Sequence, residues 1–435
     1  MPKKICVIGT GYVGLLTAVG LSDFGNSVIG VDIDKSKIDS LNSGKNIIYE
    51  PGLDEYLVKN LESKRLSFTL DLEYAVKNSE VIFIAVGTPS SDNGDADLKY
   101  VYDALDGFSK YINSYKILVI KSTVPVGTNR IISKKLKENG ITNVTVVSNP
   151  EFLREGKAVY DFFHPDRVVI GHETEEAKNI MEDVYKALNR TSVPFVWCNW
   201  ESAEIIKYAS NGFLALKIAF INQIACLAEE TGADVNVIAK AMGMDGRIGS
   251  KFLHPGPGYG GSCFPKDTRA LSCISKRLNS PISLIDCVVE ANEAQKRRIF
   301  ERLKKRIGSV KNKTIGILGL AFKAETDDVR ESSAIIIVEL LLQDGAIIQV
   351  HDPQAMNNFR NIFPNIEYKS IAYDVADNAD ALIILTEWNE YRSLDLNIIK
   401  QKMTRPYIFD TRNVIDEDEL LESHFSYDLI GRKTE

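Results

Sequence analysis

Gly261-Ser262-Cys263-Phe264-Pro265-Lys266, followed by Asp267, set a thiol among small residues beside an ammonium and a carboxylate. Far upstream, Gly9-Thr10-Gly11-Tyr12-Val13-Gly14 has the G-x-G-x-x-G spacing. Glycines at those points allow a tight turn and let a pyrophosphate approach a helix N-terminus, whose unpaired N–H groups and dipole favour anions. Asp32, 23 positions after Gly9, ends the second expected strand. A carboxylate there accepts from adenosine ribose hydroxyls and favours NAD over NADP. Hydride transfer needs no thiol to oxidise an alcohol once. It needs one to hold an aldehyde as a thiohemiacetal while a second hydride leaves. The combination points to an alcohol taken to an acid.

Each element has a plainer reading. A lone glycine fingerprint also fits a structural strand–helix turn, and Lys35 and Lys37 behind Asp32 would tolerate a 2′-phosphate. Cys263 also fits a small buried residue, although its loop is open in character and Lys266 would favour a thiolate. Cys6, Cys198, Cys226, Cys273 and Cys287 fall in strand or helix patterns and read as structural. Lys207 and Asn211, four apart, share a helix face and would together steady an oxyanion on a carbonyl carbon; alone, Lys207 reads equally as a snorkelling side chain. Glu151 follows a strand end, where open α/β sheets place ligands, and a carboxylate there activates water or is simply a solvated loop acid. Lys121-Ser122-Thr123 also follows a strand. Arg247, Lys323, Arg330 and Arg412 are surface charges unless they converge on a diphosphate.

The elements that must hold these residues are of two kinds. Apolar β-branched runs at 4–8, 28–31, 81–86, 117–120 and 144–147 alternate with helical patterns, which implies a doubly wound parallel sheet. From 201 to 231 one helix runs without proline; Asn199 is its expected N-cap, with Glu201 and Glu204 in the first turn. A helix is expected at 234–244, then a Gly/Pro loop to Cys263 and helical patterns from 267 to 307. Strands at 314–318, 347–350, 381–385 and 407–409, with a helix at 330–344, repeat the first domain's logic without its full fingerprint. The expected fold is α/β: two doubly wound Rossmann-like domains joined by a long central helix and a helical middle domain, at 1–198, 199–308 and 309–435.

Composition excludes several classes. The 435 residues carry a net charge of −7, which argues against nucleic acid and anionic membrane. No uninterrupted apolar run reaches membrane-span length, and the apolar run after Met1-Pro2-Lys3-Lys4 reads as a strand, not a signal peptide. Six scattered cysteines and five scattered histidines lack metal-ligand spacing, so no metal is expected, and reduced thiols in a cytoplasm are.

Together with Val86-Gly87-Thr88-Pro89, residues 122–128 and 149–156, Lys207 with Asn211, 247–253, 260–267, Phe322-Lys323 and 330–332, the fingerprint resembles the UDP-glucose dehydrogenases, within the wider family of nucleotide-sugar dehydrogenases. The motifs run in family order along nearly the whole chain. The resemblance implies NAD on Gly9, Gly11, Tyr12, Val13, Gly14 and Asp32, with Lys37 where relatives often carry Arg, and with Thr88, Thr123, Glu155, Lys266 and Arg330 completing the site. It implies UDP-glucose held by Glu151, Phe152, Leu153, Glu155, Lys207 and Asn211. Lys251, Phe252, Leu253, Tyr259, Gly260, Phe322, Lys323 and Arg412 hold the same ligand on that reading. A homodimer built on the long helix is implied, with Arg247 reaching the partner's sugar.

The implied chemistry is two oxidations at C6. A water near Thr123 and Asp267 is the first-step base, with Lys207 the alternative. Cys263 forms the thiohemiacetal and then the thioester, Glu151 activates the hydrolytic water, and Lys207 and Asn211 stabilise oxyanions. GDP-mannose and UDP-N-acetylmannosamine dehydrogenases would do the same on other sugars. An epimerase of the short-chain type is disfavoured, because no Tyr has Lys four positions on.

Overall fold

The computed structural model describes residues 2–91 and 93–433. They form two compact units that divide between Ser210 and Asn211, with 273–278 belonging to the first. The first unit holds β1 (Lys4–Ile8), β2 (Ser27–Val31), β3 (Leu66–Thr69), β4 (Val81–Ile84), β5 (Lys116–Ile120), β6 (Val144–Ser148), β7 (Val168–Gly171) and β8 (Phe195–Cys198). Their order is β3-β2-β1-β4-β5-β6-β7-β8. The first six are parallel, in the winding of dinucleotide-binding sheets. β7 meets β6 antiparallel through the single pair Ser148–Gly171, and β8 runs parallel to β7.

The continuous apolar strands follow from burial on both faces. Ile5, Val7, Phe83 and Val119 point into one core, and Cys6, Ile8, Ile82 and Ile120 into the other.

The second unit holds β9 (Thr314–Leu318), β10 (Ile347–His351), β11 (Glu367–Tyr368), β12 (Ala381–Ile384), β13 (Tyr407–Asp410) and β14 (Ser426–Leu429), ordered β11-β10-β9-β12-β13-β14 and parallel throughout. This is the same winding as the first six strands of the first sheet. Ile221, Ala225, Val235, Ile299, Phe300 and Leu303 from the middle helices share one core with Ile315, Ile317 and Ile383 of this sheet.

The long helix spans Trp200–Thr231, roughly 48 Å at ~1.5 Å per residue. Asn199 caps it, its side chain accepting from Ser202 N at 2.9 Å. Glu204 departs from its expected role at the helix dipole. It is buried and turns outward to cap the neighbouring helix Thr128–Glu138, accepting from Gly127 N (2.6 Å), Asn129 N (2.9 Å) and Asn129 Nδ2 (2.7 Å). Glu201 pairs with Arg130.

By length and composition this one helix, among the described residues, is long and apolar enough to cross a membrane, which a count of unbroken apolar residues missed. Tyr208, Ala215, Ile221, Ala225 and Ala228 on it are buried against protein, as in a core helix.

The helical pattern expected at 267–307 is two helices, Phe264–Arg277 and Ser283–Ile307. Asn279 takes a left-handed φ of 54°, and Pro281 disfavours helix at the residue before it.

Candidate active site

The cofactor half lies in the first unit, at the carboxyl ends of β1 and β4, where the strand order reverses. Gly9 has φ +95°, and a Cβ there would lie 2.8 Å from Ala85 O; one on Gly14 would lie 1.9 Å from Gly9 O. Only glycine closes this turn. Gly11, the N-cap of helix Tyr12–Asp23, faces open space, with nothing within 4 Å of a Cβ built on it. Val13 lies in that helix's first turn.

Asp32 Oδ2 accepts from Thr10 N (2.9 Å) and Thr10 Oγ1 (2.8 Å), and Oδ1 from Asp34 N (3.1 Å). Burial pulls its carboxyl upward, but those bonds and Lys37 outweigh burial and hold it below the usual carboxylate range. An ionised, half-exposed carboxylate at a strand end, beside an open glycine cradle, fits NAD. The second sheet provides a contrast. Asp352, at the same point after β10, is wholly buried and accepts from Leu320 N, Ala321 N, Gln354 N, Ala355 N and Trp388 Nε1. That acid braces a turn and has no room for a ribose.

Ile33, the residue after Asp32, is 98 % exposed.

Two further loops of the first unit are stitched together. Thr88 Oγ1 donates to Thr123 O at 3.0 Å, and Ser122 Oγ to Val86 O at 2.6 Å, leaving the Thr123 side chain half-buried. Beyond β6, Glu151 is buried; its Oε1 accepts from Lys207 Nζ at 2.9 Å and its Oε2 from Leu153 N at 2.6 Å. Burial raises the Glu151 carboxyl, but Lys207, Leu153 N–H and Lys121 more than reverse this, so it stays below the usual range. Phe152 carries cations on its ring: Arg167 Cζ at 3.7 Å and Lys207 Nζ at 5.3 Å from the centroid. Glu155 is half-buried, four residues on in the same segment.

Lys121 was not among the expected site residues. It is buried at the end of β5, donating to Asn149 Oδ1 (3.2 Å) and Tyr185 OH (3.4 Å). Burial draws it down to about 8, Glu151 opposing and Lys207 adding to the fall. A lysine closing a buried β-strand was the available signal.

The thiol half lies in the second unit. Cys263 directly precedes helix Phe264–Arg277, and its carbonyl accepts from Asp267 N at 2.8 Å. Sγ lies 3.5 Å from Ser262 Oγ. Helix N–H groups at such a start favour a negative charge. Asp267, 1 % exposed, accepts from Asn211 Nδ2 at 2.6 Å and Lys266 Nζ at 2.5 Å. Gly260 is needed because a Cβ there would lie 2.4 Å from Glu331 O; Gly261 N donates to Arg330 O at 2.8 Å. Those contacts seat the thiol loop against Phe322 and the 330–331 segment. Arg330 itself is exposed and bonds Asp328.

Around the second sheet's own switch point, Arg412 donates to Phe322 O (3.1 Å) and Leu385 O (2.8 Å) and pairs with Glu387 (3.2 Å). Lys323 Nζ sits 5.7 Å from the Phe322 ring centre. Tyr259 is buried and exchanges bonds with Asn292. Phe252, with a strained φ of 65°, packs near Phe264, with Leu253 buried beside it and Lys251 exposed. Arg247 is exposed and bonds Asp245.

The long helix carries Lys207 of the first set and Asn211 of the second, four residues and so about one turn apart. Among the described residues, none form a cluster able to hold a metal.

A doubly wound sheet with an open glycine cradle and an acidic strand end defines a dinucleotide-binding protein of the NAD type. The chain belongs to the UDP-glucose/GDP-mannose dehydrogenase family: the family's NAD binding domain matches residues 3–189, its central domain 201–294 and its UDP binding domain 316–417. It is 46% identical to the UDP-glucose 6-dehydrogenase of Rhizobium meliloti (strain 1021), covering 99% of each chain. It is 45% identical to UDP-glucose 6-dehydrogenase TuaD of Bacillus subtilis (strain 168), covering 99% of this chain and 93% of that one. Its fold is similar to a UDP-glucose dehydrogenase from the archaeon Pyrobaculum islandicum, with TM-score 0.93 and 38% identity over 99% of this chain and 98% of that one.

Proposed function

We propose that the chain oxidises UDP-glucose to UDP-glucuronate in two steps. One primary alcohol, two NAD and one water give one carboxylate, two NADH and three protons. NAD, when bound, accepts the hydride lost from C6 at each oxidation. The protein's residues do the rest. Thr123 and Asp267 hold a water that takes the alcohol proton, with Lys207 the alternative base. The Cys263 thiolate adds to the aldehyde carbon, and Lys207 and Asn211 face the resulting oxyanion. Loss of the second hydride leaves a thioester on Sγ. Glu151 draws a proton from water, which attacks the thioester carbon and returns the thiolate.

Substrate contacts fall to Phe152, Leu153 and Glu155 in the first unit, and to Lys251, Phe252, Leu253, Tyr259, Gly260, Phe322, Lys323 and Arg412 in the second. Lys37, Thr88, Glu155, Lys266 and Arg330 complete the cofactor site. What supports the reading most is the cluster of Cys263, Asp267 and Asn211 at one helix start, joined by the 2.6 Å Asn211–Asp267 bond. The long helix leaves Phe213, Phe220 and Leu227 exposed at seven-residue spacing, which supports a homodimer built on it, with Arg247 serving the partner's sugar.

The deciding measurement is NADH formed per mole of limiting UDP-glucose. Two NADH with UDP-glucuronate supports the reading. One NADH would remove the thioester step, and none, with turnover of GDP-mannose or UDP-N-acetylmannosamine, would reassign the sugar.

A further inference from the structure

Glu50 lies outside every motif that suggests chemistry, yet it is buried at a junction of the first unit. Its Oε1 accepts from Ala158 N at 2.7 Å and Val159 N at 3.4 Å. Its Oε2 accepts from Gly156 N at 2.7 Å and from the Tyr12 phenol. Gly156 N also reaches Tyr12 OH at 3.2 Å. These partners are three N–H groups and a phenol, so the carboxylate is met by dipoles rather than by a cation. Burying a charge in this way costs solvation energy that an apolar side chain would avoid. Burial first, and then Glu50, push the Tyr12 phenol well up, which keeps it a proton donor to the carboxylate.

The two sides of this junction carry different jobs. Tyr12 opens helix Tyr12–Asp23, directly after Gly11, in the turn that faces a pyrophosphate. Residues 156–159 end the segment that carries Glu151, Phe152, Leu153 and Glu155. Arg154 ties the same segment to the helix Ala158–Phe163, its N and Nε donating to Asp161 at 3.0 and 2.9 Å. One carboxylate therefore connects the dinucleotide turn to the loop bearing the sugar contacts and the hydrolytic acid.

We propose that Glu50 and the Tyr12 phenol form a clamp through which dinucleotide binding orders residues 151–159, so that dinucleotide and UDP-sugar bind with positive cooperativity. The cooperativity rests on the substrate reading above; the ordering by dinucleotide does not. Glu50 is a positioning residue, and its effect is a coupling between two sites.

The test is amide hydrogen exchange and calorimetry on the full chain and on Tyr12→Phe, which deletes only the hydroxyl. In the wild type, NADH is expected to slow exchange at Gly156, Ala158 and Val159, and to tighten UDP-glucose binding about tenfold. In Tyr12→Phe saturated with NADH, both effects are expected to vanish. A merely structural bond would change Tm without changing the ratio of UDP-glucose affinities with and without NADH. Equal coupling in both proteins, or none in the wild type at those amides, overturns the clamp. NADH-dependent protection with no UDP-glucose binding supports the clamp and overturns the substrate. If Tyr12→Phe does not fold, Glu50→Gln is read in the same way.

Discussion

Asn211 donates to Asp267 across 2.6 Å, and Lys266 holds the other oxygen of the same buried carboxylate at 2.5 Å. The amide of Asn211 is thereby fixed in orientation by a charge-assisted bond, a stronger restraint than a neutral partner gives. Asn211→Ala removes a donor from a carboxylate 1 % exposed. The expected cost is about 1–3 kcal/mol of stability and roughly a hundredfold in kcat if the amide also faces the oxyanion. Asn211→Asp is expected to be worse in both, since two carboxylates would share the site. Urea unfolding and steady-state NADH formation check the two halves separately.

Cys263→Ser keeps the size of the side chain and loses the thiolate, the group that forms the thioester. The variant is expected to release the first hydride and stall, giving at most one NADH per sugar, with turnover reduced by about a thousandfold or more. Full glucuronate output from Cys263→Ser would remove the thioester from the mechanism.

Much of this was legible in the sequence, for physical reasons. The glycine turn, Asp32 and the strand runs are local signals, because a close backbone approach excludes every other residue type and buried parallel strands must be apolar throughout. The Lys207/Asn211 pair was legible because helical spacing sets it. Lys121, Glu50 and Glu204 were not. Each acts through partners 28 to 109 positions away; Lys121 alone carried a local signal, a lysine closing a buried strand, and nothing nearby marks the two glutamates as buried. Strands β3, β11 and β14 were also missed, because each mixes polar with apolar residues over two to four positions and shows no clear pattern; β7 and β8 were missed too, although they are apolar runs as readable as β4. The break between the two helices at 278–282 was written in Pro281 and was overlooked.

Lys121 gives a test of cost against use. Holding an ammonium in a buried site that draws it from 10.5 to about 8 costs on the order of 3 kcal/mol in the charged form. Between pH 8 and 10.5 the unfolded chain keeps the proton that the folded chain has lost, so this group makes stability rise with pH across that window. Lys121→Met is expected to abolish the rise and to leave stability at pH 7 unchanged or higher, while kcat falls as Asn149 and Glu151 lose a neighbour. Urea midpoints at pH 7, 8 and 10 in both proteins measure it. A large loss of stability at pH 7 would mean that the bonds to Asn149 and Tyr185 outweigh the desolvation.

The exposed row on the long helix predicts assembly. Phe220→Asp sets a charge at the centre of the Phe213–Phe220–Leu227 stripe, which is solvent-facing in one chain and would be desolvated in a dimer. The expected outcome is a monomer by light scattering, with the unfolding midpoint of the residual fold little changed. A monomeric wild type would leave the stripe unexplained and take Arg247 out of the proposed sugar site.

Glu151→Gln separates electrostatics from chemistry. The wild-type carboxyl stays below its ordinary range because Lys207 at 2.9 Å, Leu153 N–H and Lys121 outweigh its burial. For an acid lowered in the fold, the stability contributed is fully present above the unfolded value near 4.5 and is lost as pH falls through the folded value. Glu204 has the opposite sign. Burial raises it, so its contribution is present below 4.5 and fades as pH rises through its own raised value. Removing the Glu151 charge leaves Lys207 and Lys121 buried without their carboxylate, at an expected cost of about 3–5 kcal/mol at pH 7. The gap between variant and wild type is then expected to narrow below pH 4.5, as the wild type protonates and loses the same interaction. On the chemical side the thioester should persist, so intact-mass measurement after mixing with UDP-glucose and NAD is expected to show a sugar adduct on Cys263. A pH-independent gap would mean that Glu151 is not charged in the fold. Wild-type turnover by Glu151→Gln would assign the hydrolytic base to another group.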